Sequence, residues 1–228
     1  MIYVNYGREE DFHWLKTEQN VDFEGSVVIA RYGKIFRADK VTLAAKYGAK
    51  AAILYSDPYD SSSPTDNSSY PDSWWLPSTG VQRGTVKGVD GDPTTPMYPS
   101  LDSAFRVLPE ESAYLPKIPV HSISYGDAAN FLQRLGGEEV PEPWRGSIPG
   151  VTYRFGGEFP ESDLKVKVHI TTHNVRRKTY NVIGYIDGAV EPDRYVVSGN
   201  HRDAWVYGSV DPTSGTAAMI EVNALLPV

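Results

Sequence analysis

The sequence contains no cysteine, so it holds no disulfide framework and gives no sign of a redox compartment. No apolar run approaches the ~20 residues needed to span a bilayer. The opening residues, Met1-Ile2-Tyr3-Val4-Asn5-Tyr6-Gly7, lack the basic region and apolar core of a signal peptide. Positive charge is in short supply: 22 Lys and Arg against 29 Asp and Glu leave a formal charge of −7, which argues against a nucleic-acid partner. The deficit does not exclude an acidic small substrate, because binding follows the local field of a pocket. A hydrophobic content of 40% with 22% charged residues is that of a soluble globular protein. The 228 residues suffice for one large domain or two small ones with a sizeable core.

Strands and helices alternate from the start. Ile2-Tyr3-Val4 reads as a strand, and residues 9–18, with Phe12 and Leu15 at helical spacing and acids early, as a short helix. Residues 26–30 form a buried strand, 38–47 a helix closed by Gly48, and 51–55 the next buried strand. This spacing suggests a βαβ-like unit. Residues 56–99 are rich in Ser, Pro, Asp and Gly and have little periodicity, as functional or disordered segments do. Tyr70, Trp74, Trp75 and Leu76 argue against disorder. Asn67-Ser68-Ser69 is an N-glycosylation acceptor. Tyr125 opens a helix with Ala128, Ala129, Phe131, Leu132 and Leu135 on its apolar side and Gly136-Gly137 at its end. Leu164, Val166, Val168 and Ile170 alternate with charged residues as a half-buried strand, and residues 181–186 form a further one. His169 and His173 fall in no ligand-spaced cluster and read as surface histidines. The domain boundary is placed near Arg176, giving domains 1–176 and 177–228.

The stretch from Tyr195 to Gly215 carries the chemistry. Tyr195-Val196-Val197 is a short β-branched and aromatic run that reads as a buried strand. His201 and Asp203 would follow on its carboxyl-end loop, where open α/β sheets bind ligands. Asp211-Pro212-Thr213-Ser214-Gly215 then turns into a helix carrying Ala217, Ala218, Ile220 and Val222. Zinc takes imidazole nitrogen and carboxylate oxygen, and a ligating His usually donates its other N–H to a carboxylate or carbonyl. Asp203 is spaced to fix the His201 tautomer, and Asp211 is a candidate ligand. His-x-Asp alone equally suits a plain polar loop. The kinase His-Arg-Asp loop is excluded, because Ala204-Trp205-Val206-Tyr207-Gly208 follows and no Gly-rich phosphate loop precedes.

The longer string Gly199-Asn200-His201-Arg202-Asp203-Ala204-Trp205-Val206, with Val210-Asp211-Pro212-Thr213-Ser214-Gly215, resembles the glutamate carboxypeptidase II family of N-acetylated-alpha-linked acidic dipeptidases. The resemblance covers nearly all of the chain. It implies a protease-associated domain, a mixed sheet with flanking helices, followed by the start of an aminopeptidase-like α/β zinc peptidase core. It also implies an activity: zinc-dependent removal of C-terminal acidic residues from small peptides such as N-acylated acidic dipeptides. His201 and Asp211 match zinc ligands of a two-ion centre, and Asp203 the residue that supports the His. Phe36-Arg37 matches the pair whose Arg grips the substrate's C-terminal carboxylate, a task suited to a planar guanidinium. Gly80-Val81-Gln82-Arg83-Gly84 also matches, with Thr85 where an Asn often touches substrate. Gly91-Asp92-Pro93-Thr94-Thr95-Pro96-Met97-Tyr98-Pro99 resembles the family's calcium segment, in which Thr95 and Tyr98 match contributing residues. The family further implies a homodimer on the extracellular side of the plasma membrane. Its general base and remaining ligands find no match in this sequence, so the chain is expected to be an inactive fragment by itself. Transferrin receptors share the fold without the zinc ligands, which leaves a non-catalytic ectodomain used for protein interaction as the alternative.

Overall fold

The computed structural model describes residues 1–63, 65–66, 68–161 and 163–225; Asn67, the predicted glycosylation acceptor, lies outside them. The chain divides into two compact units, residues 1–171 and 172–228. The boundary expected at Arg176 falls in the first residues of the second unit.

The first unit is built on a parallel sheet ordered β1 (Ile2–Tyr3), β2 (Val27–Arg31), β3 (Ala51–Tyr55), β4 (Val120–Ile123). Val28 pairs with Ala52 and Ile29 with Ile53. Every residue of β3 is buried, as a parallel sheet covered on both faces requires. Antiparallel pairing among the described residues is confined to two isolated bridges, Ile2–Gly156 and Glu139–Arg154; beside the first, the Tyr3 amide donates to the Phe155 carbonyl at 2.9 Å.

Helix α1 (Glu9–Thr17) connects β1 to β2, and α2 (Arg37–Lys46) connects β2 to β3. Asp11 accepts from both the backbone and the side chain of Arg8 and so closes the first turn of α1. That helix buries Phe12 and Leu15; the Phe12 ring lies 5.2 Å from Phe23 and 5.0 Å from Tyr47. Helix α2 stops at Gly48, whose φ of +101° supplies the left-handed residue that a helix end commonly needs. After the four-residue helix α3 (Pro58–Ser61), helix α4 (Tyr125–Leu132) starts at Ser124, whose Oγ accepts from the Asp127 amide at 3.0 Å.

The irregular segment after β3 is pinned by hydrogen bonds rather than by a ladder. Asp57 is fully buried. It accepts from the Tyr59 amide at 2.9 Å, the Ser147 amide at 2.8 Å and the Tyr55 hydroxyl at 3.1 Å, and also from the Tyr153 hydroxyl. A buried side chain with this many donors joins the start of the irregular segment to the distant stretch 147–153.

Three predicted strands do not form. Residues 164–170, 181–186 and 195–197 carry no ladder, and Val196 is 100% exposed. Alternation and β-branching mark a stretch as fit for a strand, but a strand holds only when a neighbour satisfies its backbone groups and covers its apolar face. No described residue pairs with these stretches. The second unit is organised instead around α5 (Thr213–Leu225), the helix expected after Asp211-Pro212. No described helix is long and apolar enough to cross a membrane.

Candidate metal and substrate-binding residues

In the second unit, the segment from Asn200 to Pro212 is tied onto the first turn of α5. The Asn200 amide nitrogen donates to the Pro212 carbonyl at 3.0 Å, the Thr216 hydroxyl at 2.8 Å and the His201 carbonyl at 2.7 Å. Room for this exists because residue 215 is glycine: a Cβ there would lie 2.5 Å from the Asn200 Oδ1. Gly208 makes the tight return at φ +61°, where a Cβ would come within 2.6 Å of Ala204. The Thr213 amide then bonds the Gly208 carbonyl at 3.1 Å.

This fold brings the three predicted residues together. The Nδ1 of His201 lies 3.1 Å from Asp203 Oδ1 and 3.0 Å from the Asp203 carbonyl, and its Nε2 lies 2.8 Å from Asp211 Oδ1. The Asp203 hydrogen bond, ahead of Asp211, raises the His201 pKa above its ordinary value. Both ring nitrogens thus face acceptor oxygens. With the Nδ1 proton given to Asp203, the Nε2–Asp211 contact needs a positive centre between them, either a proton or a metal ion. Two zinc ligands at ~2.0–2.1 Å in tetrahedral arrangement stand ~3.3 Å apart, so a half-ångström opening would admit the ion. The donor types and their convergence therefore fit zinc. They are two of the four ligands a tetrahedral site takes, and no set of three or more His, Cys, Asp or Glu grouped for a metal occurs among the described residues.

Arg37 and Phe36 belong to the first unit. Arg37 opens α2, with Phe36 as the extended residue before it. Its guanidinium lies 5.1 Å from the Phe36 ring centroid, within cation–π range. Its Nη1 makes a long 3.4 Å contact to the Thr85 carbonyl. The Nε and Nη2 donate to no described residue. The predicted Phe36-Arg37 pair and the predicted Arg83-Gly84-Thr85 segment are therefore neighbours, and an edge of the guanidinium fork is available.

The predicted calcium residues lie in a turn built around Asp92, which accepts from Thr94 Oγ1 at 2.6 Å and Ser100 Oγ at 2.7 Å. These bonds, the Thr94 hydroxyl first, hold the Asp92 pKa down at about 2. Thr95 is 3% exposed and its Oγ1 has no hydrogen-bond partner among the described residues. An orphaned buried oxygen of this kind suits a hard cation. The Tyr98 hydroxyl donates to the Phe105 carbonyl at 2.6 Å. Thr95 and Tyr98 alone fall well short of the six to eight oxygens calcium takes.

His169 and His173 are exposed, as expected. The clamp made by Asn200 was not legible in the sequence: an Asn directly before the His marks no role until its neighbours in space are known.

A PA domain model matches residues 1–88. Aminopeptidase NAALADL1 of Mus musculus is 42% identical over 99% of this chain and 31% of its own length. A glutamate carboxypeptidase 2 homolog of Caenorhabditis briggsae is 44% identical over 97% of the chain and 30% of its own length. Transferrin receptor protein 2 of Mus musculus is 36% identical over 97% of the chain and 26% of its own length. The chain spans under a third of the length of these relatives. The chain thus carries a PA domain and is similar along nearly all of its length to glutamate carboxypeptidase-like peptidases and to transferrin receptors.

Proposed function

We propose that this chain contributes zinc ligands His201 and Asp211, and a substrate-carboxylate anchor, Arg37, to a metallopeptidase that removes C-terminal acidic residues from small peptides such as N-acylated acidic dipeptides. The observation that carries the reading is the facing of His201 Nε2 and Asp211 Oδ1 at 2.8 Å. A receptor that has dispensed with metal has no need to keep an imidazole between two carboxylates. Zinc, when bound, supplies Lewis-acid polarisation of the scissile carbonyl.

The chain's own residues do the positioning. Asp203 holds the Nδ1 proton of His201, which fixes the tautomer and keeps Nε2 a donor of electrons. Asn200 ties the backbone of His201 to that of Pro212, next to Asp211. Arg37 offers Nε and Nη2 on one edge of a planar fork, a match for a carboxylate with two charge-assisted hydrogen bonds. That free cationic fork favours recognition of a substrate's C-terminal carboxylate over recognition of its ammonium, although one relative is named an aminopeptidase. Thr95, through its orphaned hydroxyl, and Tyr98 are proposed as oxygen donors to a structural calcium ion.

The test is glutamate release from an N-acylated acidic dipeptide by the full-length protein. Release that stops with chelator and returns with zinc is expected. A zinc-binding protein that leaves the dipeptide intact would sink the substrate assignment. A protein that binds no zinc would leave the receptor-like reading.

A further inference from the structure

We infer that Gly84 is a specificity-positioning residue: its missing side chain makes the slot in which the Arg37 guanidinium lies, and so sets where the carboxylate anchor points. The inference rests on the role proposed above for Arg37, and it concerns a residue that makes no direct contact with substrate in that role.

The argument is one of space. A Cβ built on Gly84 would lie 2.5 Å from Arg37 Nε and 2.6 Å from Nη2, and closer still to Cζ. All three nearest atoms belong to one side chain, and all three belong to its guanidinium. Such separations are well inside the ordinary contact distance of carbon and nitrogen. The guanidinium is therefore laid against the Gly84 backbone, with the Phe36 ring 5.1 Å from Cζ and the Thr85 carbonyl 3.4 Å from Nη1. No stronger hydrogen bond to a described residue fixes it. Position depends on the walls of the slot, and Gly84 is the wall that any side chain would move.

Gly84 does not need to be glycine for its backbone. It is not among the positive-φ glycines of the chain, so alanine meets no conformational penalty there. The clash falls on the far end of a long, flexible side chain, which can swing away without disturbing the sheet. Gly84→Ala is thus expected to displace one functional group and to leave the fold intact. Arg37 is planar and binds through a fixed fork, so a shift of its plane matters more than the same shift of a point charge.

Four forms of the full-length protein test this: wild type, Gly84→Ala, Arg37→Ala and the double variant. Each is assayed on a free-acid dipeptide and its C-terminal amide, alongside thermal unfolding. Gly84→Ala should keep its Tm, raise KM for the acid by ~10–100-fold, the usual consequence of a displacement near 1 Å, and leave the amide unchanged. The double variant should match Arg37→Ala, since the clash vanishes with the guanidinium. If Arg37→Ala raises the acid KM while Gly84→Ala does not, the inference fails and the Arg37 reading stands. If the two losses simply add, or acid and amide suffer alike, Gly84 acts by another route and the inference is overturned. If Arg37→Ala itself treats acid and amide alike, the Arg37 reading fails and the specificity role of Gly84 with it. A crystal structure of Gly84→Ala isolates the steric claim: a guanidinium still in its wild-type place would refute it whatever the kinetics show.

Discussion

The Nε2 atom of His201 stands 2.8 Å from Oδ1 of Asp211, across a loop closed by Asn200 rather than by a β-ladder. The pair is therefore set by local side-chain bonds within one loop and one helix end. Its expected behaviour follows from that.

His201→Ala and Asp211→Ala should each abolish peptidase activity in the full-length protein and lower its zinc content. Asp203→Asn should keep more metal, because it weakens only the orientation of the imidazole, a loss of ~10–100-fold in affinity or activity. Zinc content measured after dialysis separates the cases, and a normal value for His201→Ala would remove it from the ligand set.

Arg37→Ala should raise KM for free-acid substrates with zinc content unchanged. Removing one member of a partly desolvated charge pair costs ~2–5 kcal/mol, or roughly 30-fold and upward at 1.4 kcal/mol per decade. Arg37→Lys should recover part of the loss, since an ammonium restores charge without the fork. Amidated substrates, already poor, should change much less.

Asn200→Ala should weaken zinc binding without deleting a ligand. It removes the amide that joins the His201 and Pro212 carbonyls and the Thr216 hydroxyl, bonds worth ~1 kcal/mol each at most in an exposed loop. A titration of apo protein should show affinity reduced by a few-fold to tens-fold, and an unchanged affinity would mean that the loop is held by its backbone alone.

Thr95→Val should stabilise the calcium-free 228-residue chain by ~1 kcal/mol, because it removes a buried hydroxyl that has no partner among the described residues. If the Thr95 hydroxyl ligates calcium, added calcium should raise the Tm of the wild type and not that of the variant. Equal responses to calcium would take that hydroxyl out of the site.

Lys40 gives the first unit a pH signature. It is buried, and that burial lowers its pKa from 10.5 to about 8, while its ammonium donates to the Gly33 carbonyl at 2.7 Å and to the Tyr6 carbonyl. The folded pKa lies below the unfolded one, so between pH 8 and 10.5 the unfolded chain binds more protons and stability rises with pH. Chemical denaturation should show wild type gaining on Lys40→Met across that window, and a flat difference between them would exclude a depressed pKa.

Much of the first unit was legible in the sequence because its signals are local. Phe12 and Leu15 at helical spacing, Gly48 after α2 and the apolar run of β3 each declare an element within a few residues, and each element forms. The failures at Val182, Val196 and Val166 share a cause. Period and branching report what a stretch would do beside a partner, and no described residue pairs with them. At the candidate site, the residue types of His201, Asp203 and Asp211 announced their chemistry. The Asn200 clamp and the Gly84 slot escaped, because a hydrogen-bond clamp and an absent side chain are defined only by what comes near them in space.

The antiparallel bridge from Ile2 to Gly156 has a consequence for biosynthesis. The free side of β1 is covered by Phe155 and Gly156, so at ~5–20 residues per second roughly eight to thirty seconds of translation separate the exposed edge from its cover. During that interval a nascent chain presents unpaired amides and carbonyls beside two apolar strands, which is the template for joining a neighbouring chain on the same polysome. Slower elongation through residues 60–150 would lengthen that exposure, and a chaperone that shields strand edges would have its greatest effect on yield there.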